Sequence, residues 1–196
     1  MNEKSFKIRR LAVNGILAAL IIVVSFLPIR IGTVEITLSM IPIAVGASIY
    51  GVYSGALLGA VFGTVSFLQC LGYSPFGATL LAVSVPVTLL MCIPTRILAG
   101  ALAGLACDIF KKSGHKNIGI ITAGVLAPVL NTVFFTGVML IGFWNTEYIQ
   151  GFAEMFKTPA PFAFAVAFVG LNGLIEILVG IAVAIPAAKA ISHRIK

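Results

Sequence analysis

The chain is a succession of long apolar runs separated by short polar or basic segments. A helix that crosses a membrane needs about 20 mostly apolar residues, and the hydropathy pattern predicts six such spans. They cover residues 11–27, 37–50, 53–71, 86–110, 118–143 and 162–191. The second span is short and contains Pro42, so we expect it to be broken or tilted. The predicted fold is an all-α integral membrane protein, a compact six-helix bundle that forms one domain over residues 1–196.

Three connections between the spans have patterns of their own. Residues 29–36 (IRIGTVEI) alternate, which favours a short extended hairpin or an ordered external loop. Residues 72–77 have the composition of a turn, and the apolar residues 78–85 after them predict a short surface helix. Residues 144–161 form the longest predicted external connection.

Basic residues orient the predicted bundle. Of the 13 lysines and arginines, ten fall in three clusters: Lys4, Lys7, Arg9 and Arg10; Lys111, Lys112 and Lys116; Lys189, Arg194 and Lys196. Because basic loops stay on the cytoplasmic side, both termini and the loop between spans four and five are predicted to be cytoplasmic. The net charge of +7 then reflects membrane topology and lipid contact, and no nucleic acid partner is expected.

Small residues recur at a spacing of four in two of the spans. In the third span they are Gly51, Gly55, Gly59 and Gly63. Because this spacing keeps them on one helix face, the pattern favours close packing inside the protein, with a partner-facing surface as the alternative. In the first span the pair is Gly15 and Ala19, for which docking of a second membrane protein and packing inside the bundle are both open.

Arg96 and Glu176 are the formal charges that lie deep inside apolar segments. A charge at bilayer depth costs several kcal/mol unless it is paired or lines a wet cavity, which makes both residues candidates for function. Arg96 follows Pro94, which deprives the Leu90 carbonyl of its helical hydrogen bond. A guanidinium beside such a kink is suited to bind a carboxylate or phosphate, and a structural pair with Glu176 is the alternative.

Side-chain amides extend this polar set. Asn172 and Glu176 share one face of the sixth span, and Asn131 follows Pro128 in the fifth. With Arg96 they predict a polar lining on three helices, which Gln69 and Tyr73 at the outer end of the third span would extend. The sequence has no phosphate-binding loop, no metal-ligand spacing and no intramembrane nucleophile with a histidine base, so neither an enzyme nor a cofactor is predicted. Cys70, Cys92 and Cys107 are interpreted as packing residues.

Several segments together resemble the substrate-binding S component of energy-coupling factor (ECF) vitamin transporters, most of all its pantothenate branch. They are residues 11–20 (LAVNGILAAL), 36–43 (ITLSMIPI), the glycine ladder that runs into 65–67 (VSF), 74–76 (SPF) and 94–100 (PTRILAG).

The resemblance implies a subunit of the prokaryotic cell membrane that captures a vitamin from outside. A transmembrane coupling subunit and two cytoplasmic ATPases would supply the energy. The family motif that contacts the coupling subunit maps to Gly15 and Ala19, with glycine in place of the usual alanine at one position. Residues 29–36 would form the gate. For pantothenate, Arg96 would take the carboxylate, and Asn131, Asn172 and Glu176 the polar remainder.

Other functions remain open at this point. An S component for riboflavin, folate or another small vitamin fits the same pattern. A stand-alone secondary transporter would need ligands for a coupling ion, for which Glu176 is thin support. An intramembrane enzyme lacks a nucleophile–base set, and in a scaffold subunit Arg96 and Glu176 would only pair with each other.

Overall fold

The structure, a computed structural model, describes residues 3–27, 29–31, 34–36 and 38–194, without the side chains of residues 29–31, 34–36, 169, 171, 172 and 192–194. Most of this chain is helical. Its elements are α1 (Glu3–Ser25), β1 (Ile29–Ile31), β2 (Val34–Ile36), α2 (Met40–Tyr50), α3 (Val52–Gln69), α4 (Pro75–Val83), α5 (Val85–Lys112), α6 (Lys116–Phe143), α7 (Glu147–Met155), α8 (Pro161–Val179), a π-helical turn (Gly180–Ala184) and α9 (Ile185–Arg194).

Five helical segments of the described chain are long and apolar enough to cross a membrane. They are α1, α3, α5, α6 and the stretch Gly173–Ile191, which runs from α8 through the π-helical turn into α9. The predicted second span is α2, whose 11 residues reach only about 17 Å, whereas the hydrocarbon core is about 30 Å thick. The apolar helical bundle is therefore confirmed, while the count of six spans and the cytoplasmic termini stay predictions.

The alternating segment before α2 forms an antiparallel hairpin, which is one of the two structures predicted for it. Ile29 lies opposite Ile36, and Ile31 lies opposite Val34. Residues 32 and 33 between the strands lie outside the described residues. The strand β2 lies against α8, so the hairpin sits beside the helix that carries Glu176.

The predicted turn over 72–77 is wrong in its second half, because α4 begins there. The Ser74 hydroxyl accepts a hydrogen bond from the Gly77 N–H at 3.3 Å, and Pro75 occupies the first turn, where a missing N–H costs nothing. Leu80 is fully buried, so α4 packs into the core on one side and is not simply a surface helix.

A helix that the sequence did not predict, α7, lies in the long connection after α6. The Thr146 hydroxyl caps it by accepting a hydrogen bond from the Ile149 N–H at 3.4 Å. Ile149 and Ala153, four residues apart, are its buried positions. The capping threonine followed by this spacing was the available signal.

The glycine ladder brings α3 and α5 into main-chain contact. A Cβ atom on Gly55 would overlap the Gly100 carbonyl, and one on Gly59 would overlap the Arg96 carbonyl. A Cβ on Gly63 would lie 2.8 Å from the Cys92 carbonyl oxygen. The interpretation of the ladder as an internal packing face is therefore confirmed.

The end of α5 secures the tight corner between α2 and α3. Gly51 turns this corner with φ of +73°, a left-handed conformation that favours glycine. The Asp108 carboxylate accepts a hydrogen bond from the Val52 N–H at 3.2 Å, at the positive end of α3. Lys111 donates to the Ile49 carbonyl at 3.2 Å, at the negative end of α2.

Replacing Gly55 by alanine is expected to lower the free energy of unfolding by about 1–3 kcal/mol, the usual cost of overpacking. The added methyl group would meet the main chain at Gly100, which cannot move aside as a side chain can. Thermal unfolding in detergent measures the effect. Gly15→Ala is the matched control, since a Cβ there has no other heavy atom within 4 Å, and equal melting temperatures for the two variants would contradict the packing assignment.

Candidate functional site

The close approach of α3 and α5 encloses the Arg96 side chain, which is only 6% exposed. Gly59 packs against the main chain of Arg96, and Phe62, three residues further along α3, lays its ring 4.7 Å from the guanidinium carbon. The Phe135 ring of α6 lies 5.5 Å from the same atom. Two aromatic faces therefore stabilise the cation, and both were missed by sequence reasoning, although Phe135 lies four residues from Asn131 on one helix face.

The guanidinium bonds back to its own helix near Pro94. Its Nη1 donates to the Met91 carbonyl at 2.9 Å and to the Cys92 carbonyl at 3.1 Å. The Thr95 hydroxyl also donates to the Met91 carbonyl. From the sequence we expected Pro94 to leave the Leu90 carbonyl without its helical hydrogen bond. In the structure the guanidinium binds the carbonyls of the next two residues, Met91 and Cys92. Its Nε is buried and has no hydrogen-bond partner in the described structure.

Asn131 is buried on α6, on the face that carries Phe135. Its Oδ1 has no hydrogen-bond partner among the described residues, and neither does the hydroxyl of Thr136 on the same helix. Buried polar atoms normally have a partner, so each such atom in a native protein calls for an explanation, such as a ligand or a bound water. Arg96 and Asn131 thus present one unpartnered donor and one unpartnered acceptor from neighbouring helices.

Glu176 on α8 is 5% exposed and is one of the charged groups that act electrostatically on the Arg96 guanidinium. It lines a small cavity, with room for about one water molecule, between the start of α2, the Pro128 region of α6 and the π-helical turn. Gly173 packs on Thr132 and holds α8 against α6 at this level. The packing of α8 on α6 thus places Glu176 beside the helix that carries Asn131.

Gln69 and Tyr73 lie at the end of α3 and fasten the end of α1. The Gln69 amide donates to the Ser25 carbonyl at 2.6 Å, and the Tyr73 hydroxyl donates to the Phe26 carbonyl at 3.1 Å. The rings of Tyr73 and Phe26 also meet edge to face, with 5.3 Å between centroids. These contacts fix the chain just before the hairpin. The described contacts of Gln69 and Tyr73 are thus with the end of α1, and not with Arg96.

The remaining predicted site residues fall in two places. Asn172 lies in α8, but its side chain is outside the described residues. Gly15 and Ala19 lie on the exposed face of α1, opposite the buried side chains Asn14, Leu17, Ile21 and Ser25. On the buried side, the Asn14 amide donates to the Ser54 hydroxyl at 2.9 Å, which orients the smooth face outward.

An aromatic cluster that the sequence did not assign to the site closes the end of the bundle where α4, α7 and α8 meet. Phe164 and Phe168 stack at 5.1 Å, and Phe76 and Phe152 each lie 5.5 Å from Phe168. It forms one apolar core with Met91 and Cys92, whose carbonyls bind Arg96. Phe135, whose ring lies over the guanidinium, also packs against this core.

Replacing Asn131 by leucine is expected to keep or raise the melting temperature of the ligand-free protein. The change removes a buried oxygen without a partner, whose desolvation costs about 1–3 kcal/mol. Thr136→Val is the matched control, because it removes the other unpartnered oxygen of α6 with little change of shape. Thermal unfolding in detergent tests both, and a stability loss for Asn131→Leu alone would mean that Asn131 has a structural partner.

Comparisons with known proteins identify the fold. The model of the family described as ECF transporter, substrate-specific component, matches residues 9–188. One matching solved structure is that of ThiT from Listeria monocytogenes, obtained by native-SAD phasing. It superposes with a TM-score of 0.65 at 20% sequence identity, covering 94% of this chain and 95% of that one. No curated protein sequence matches the chain significantly.

Proposed function

This chain belongs to the family of ECF transporter substrate-specific components, and we propose that it captures a vitamin that carries a carboxylate, with pantothenate as the favoured ligand. Family membership makes it a membrane substrate-binding subunit of a vitamin transporter, a class of subunit that is generally not catalytic, and implies the prokaryotic plasma membrane as its location. Its apolar helices indicate a multi-pass membrane protein.

The buried Nε of Arg96, which has no hydrogen-bond partner among the described residues, carries the proposal. A carboxylate binds a guanidinium best through two adjacent N–H groups. The carbonyls of Met91 and Cys92 occupy Nη1, which leaves the side of the guanidinium that carries Nε for such a ligand. The rings of Phe62 and Phe135 hold the group in one orientation, so little flexibility is lost when an anion binds.

Pantothenate also offers an amide and two hydroxyls. Asn131 supplies a buried acceptor that has no partner among the described residues, on the helix face that carries Phe135, and Glu176 supplies a buried carboxylate on α8. We assign Asn172, one turn before Glu176, to the same lining from its position in α8. Gln69 and Tyr73 are proposed to act at the entrance, where they hold the chain that leads into the hairpin gate.

The match to ThiT supports the fold alone, because the sequence identity is only 20%. The ligand therefore has to be inferred from the residues of this chain. Binding experiments therefore need a panel of vitamins. Riboflavin, folate and pyridoxine represent the other candidates, and thiamine adds a cation without a carboxylate. A tight complex with one of these alone would keep the transporter assignment and replace pantothenate as the ligand.

The carboxylate assignment is tested by a cycle of two ligands and two proteins. Pantothenol has an alcohol in place of the carboxylate of pantothenate and is otherwise the same molecule. The wild-type protein is expected to prefer pantothenate by about 10- to 100-fold, since a hydrogen bond to a charged group contributes about 1.5–3 kcal/mol. The Arg96→Gln variant should bind the two ligands nearly equally, as measured by titration calorimetry.

Two controls accompany this cycle. The melting temperature of Arg96→Gln shows whether the variant folds, because Arg96 also binds two carbonyls of α5. Leu98→Gln, at an exposed position on the same helix, controls for adding an amide to α5. Equal affinity of the wild-type protein for pantothenate and pantothenol would exclude Arg96 as a carboxylate ligand.

The exposed face of α1 is proposed to dock the transmembrane coupling subunit, which family membership implies in general together with two ATPases. Gly15 has open space where a side chain would project, and Ala19 lies one turn further along the same exposed face. Small residues on a lipid-exposed face allow a second helix to approach closely.

A bulky side chain on this face should block docking. Ala19→Trp is expected to reduce co-purification with the coupling subunit and ATPases at least tenfold, with vitamin affinity unchanged. Ile141→Trp, on the exposed side of α6, is the matched control. Docking that survives Ala19→Trp would place the interface elsewhere, and vitamin uptake that persists without the ATPases would favour a stand-alone secondary transporter.

A further inference from the structure

Two thiols, those of Cys70 and Cys92, lie in contact close to the carbonyls that bind Arg96. Cys70 ends α3 and Cys92 lies in α5, and their sulfur atoms are 3.9 Å apart although the residues are 22 positions apart in the chain. The exposed fractions are 5% and 1%. Cys107 is also buried, but it lies 15 positions along α5 from Cys92 and its sulfur contacts the Ser48 carbonyl at 3.6 Å.

The surroundings bring these two sulfur atoms together. The Ser66 hydroxyl lies 3.9 Å from the Cys92 sulfur, and the Cys70 sulfur lies 3.3 Å from the Ser66 carbonyl oxygen. Gly77 leaves room for the Cys70 side chain, since a Cβ there would lie 2.6 Å from the sulfur. Gly63 lets the main chain of α5 approach α3 at Cys92. The pair is thus held by contacts from α3, α4 and α5.

We propose that Cys70 and Cys92 form a redox-sensitive pair that a peroxide converts to a disulfide between α3 and α5. One sulfur attacks hydrogen peroxide, giving a sulfenic acid and water. The second sulfur then attacks the sulfenic sulfur, a second water leaves, and the S–S bond forms. Two thiols and one peroxide yield one disulfide and two waters. Hydrogen peroxide is small and uncharged, so it can enter an apolar interior.

The disulfide would act on the neighbouring cation. The sulfur atoms must close from 3.9 Å to about 2.05 Å, which requires movement of Cys70, Cys92 or both. The Cys92 carbonyl accepts a hydrogen bond from Arg96, so movement of the Cys92 main chain displaces an acceptor of the guanidinium. Oxidation is therefore expected to shift Arg96 and weaken ligand binding about tenfold, a consequence that rests on the proposed function, whereas the disulfide itself does not.

The test uses the full-length protein in lipid nanodiscs, treated with hydrogen peroxide and then digested for mass spectrometry. The expected product is a peptide pair joined at Cys70 and Cys92, lighter than its two parts by two hydrogen atoms and separated by dithiothreitol. It should form in wild type and in the matched control Cys107→Ser, and be absent in Cys70→Ser and Cys92→Ser. Pantothenate affinity is then compared between oxidised and reduced wild type.

The outcomes separate cleanly. A Cys70–Cys92 link in wild-type protein supports the proposal even where a serine variant fails to fold. No link after peroxide, or a link that involves Cys107 or joins two molecules, overturns it. A link without any measurable pantothenate binding would retain the redox pair and count against the proposed ligand, while a link that leaves a measurable affinity unchanged would overturn the coupling to Arg96.

Discussion

The main-chain contact between α3 and α5 governs the arrangement of the other helices and of the polar site. In a membrane, helices gain little from burying apolar surface against each other, so close approach and dispersion have to hold them together. The glycines at 55, 59 and 63 make that approach possible. The same contact between α3 and α5 places Phe62 over Arg96 and brings Cys70 beside Cys92. The arrangement of the side chains around Arg96 therefore depends on the glycine packing face.

A cation in an apolar interior needs compensation, and α5 provides much of it locally. The carbonyls of Met91 and Cys92, in the turn before Pro94, accept hydrogen bonds from the side chains of Thr95 and Arg96. Two aromatic rings and the Glu176 carboxylate add favourable electrostatic interactions. Among the described residues, the buried N–H at Nε of the guanidinium has no partner. The hydrogen bonds to α5 thus use a different edge of the group from the one that carries Nε.

The two faces of α1 have different surroundings. The buried face is held by the Asn14–Ser54 hydrogen bond and by the contacts of Gln69 and Tyr73 at its end, next to the hairpin. The outer face is smooth at Gly15 and Ala19. A partner that docked on this face, as proposed, would contact a helix whose far end Gln69 and Tyr73 fasten beside the hairpin.

Local pattern in the chain was enough to predict the apolar helices, the hairpin at 29–36, the glycine face, and Arg96, Asn131 and Glu176 as a buried polar set. It was not enough for α7 or the start of α4, because Thr146 and Ser74 act as caps within segments that have the composition of loops. Tertiary packing alone established that Phe62 and Phe135 enclose Arg96, that Gln69 and Tyr73 bind the end of α1, and that two of the three cysteines meet. These features depend on distances between residues far apart in the chain, which helix packing sets and no local periodicity records.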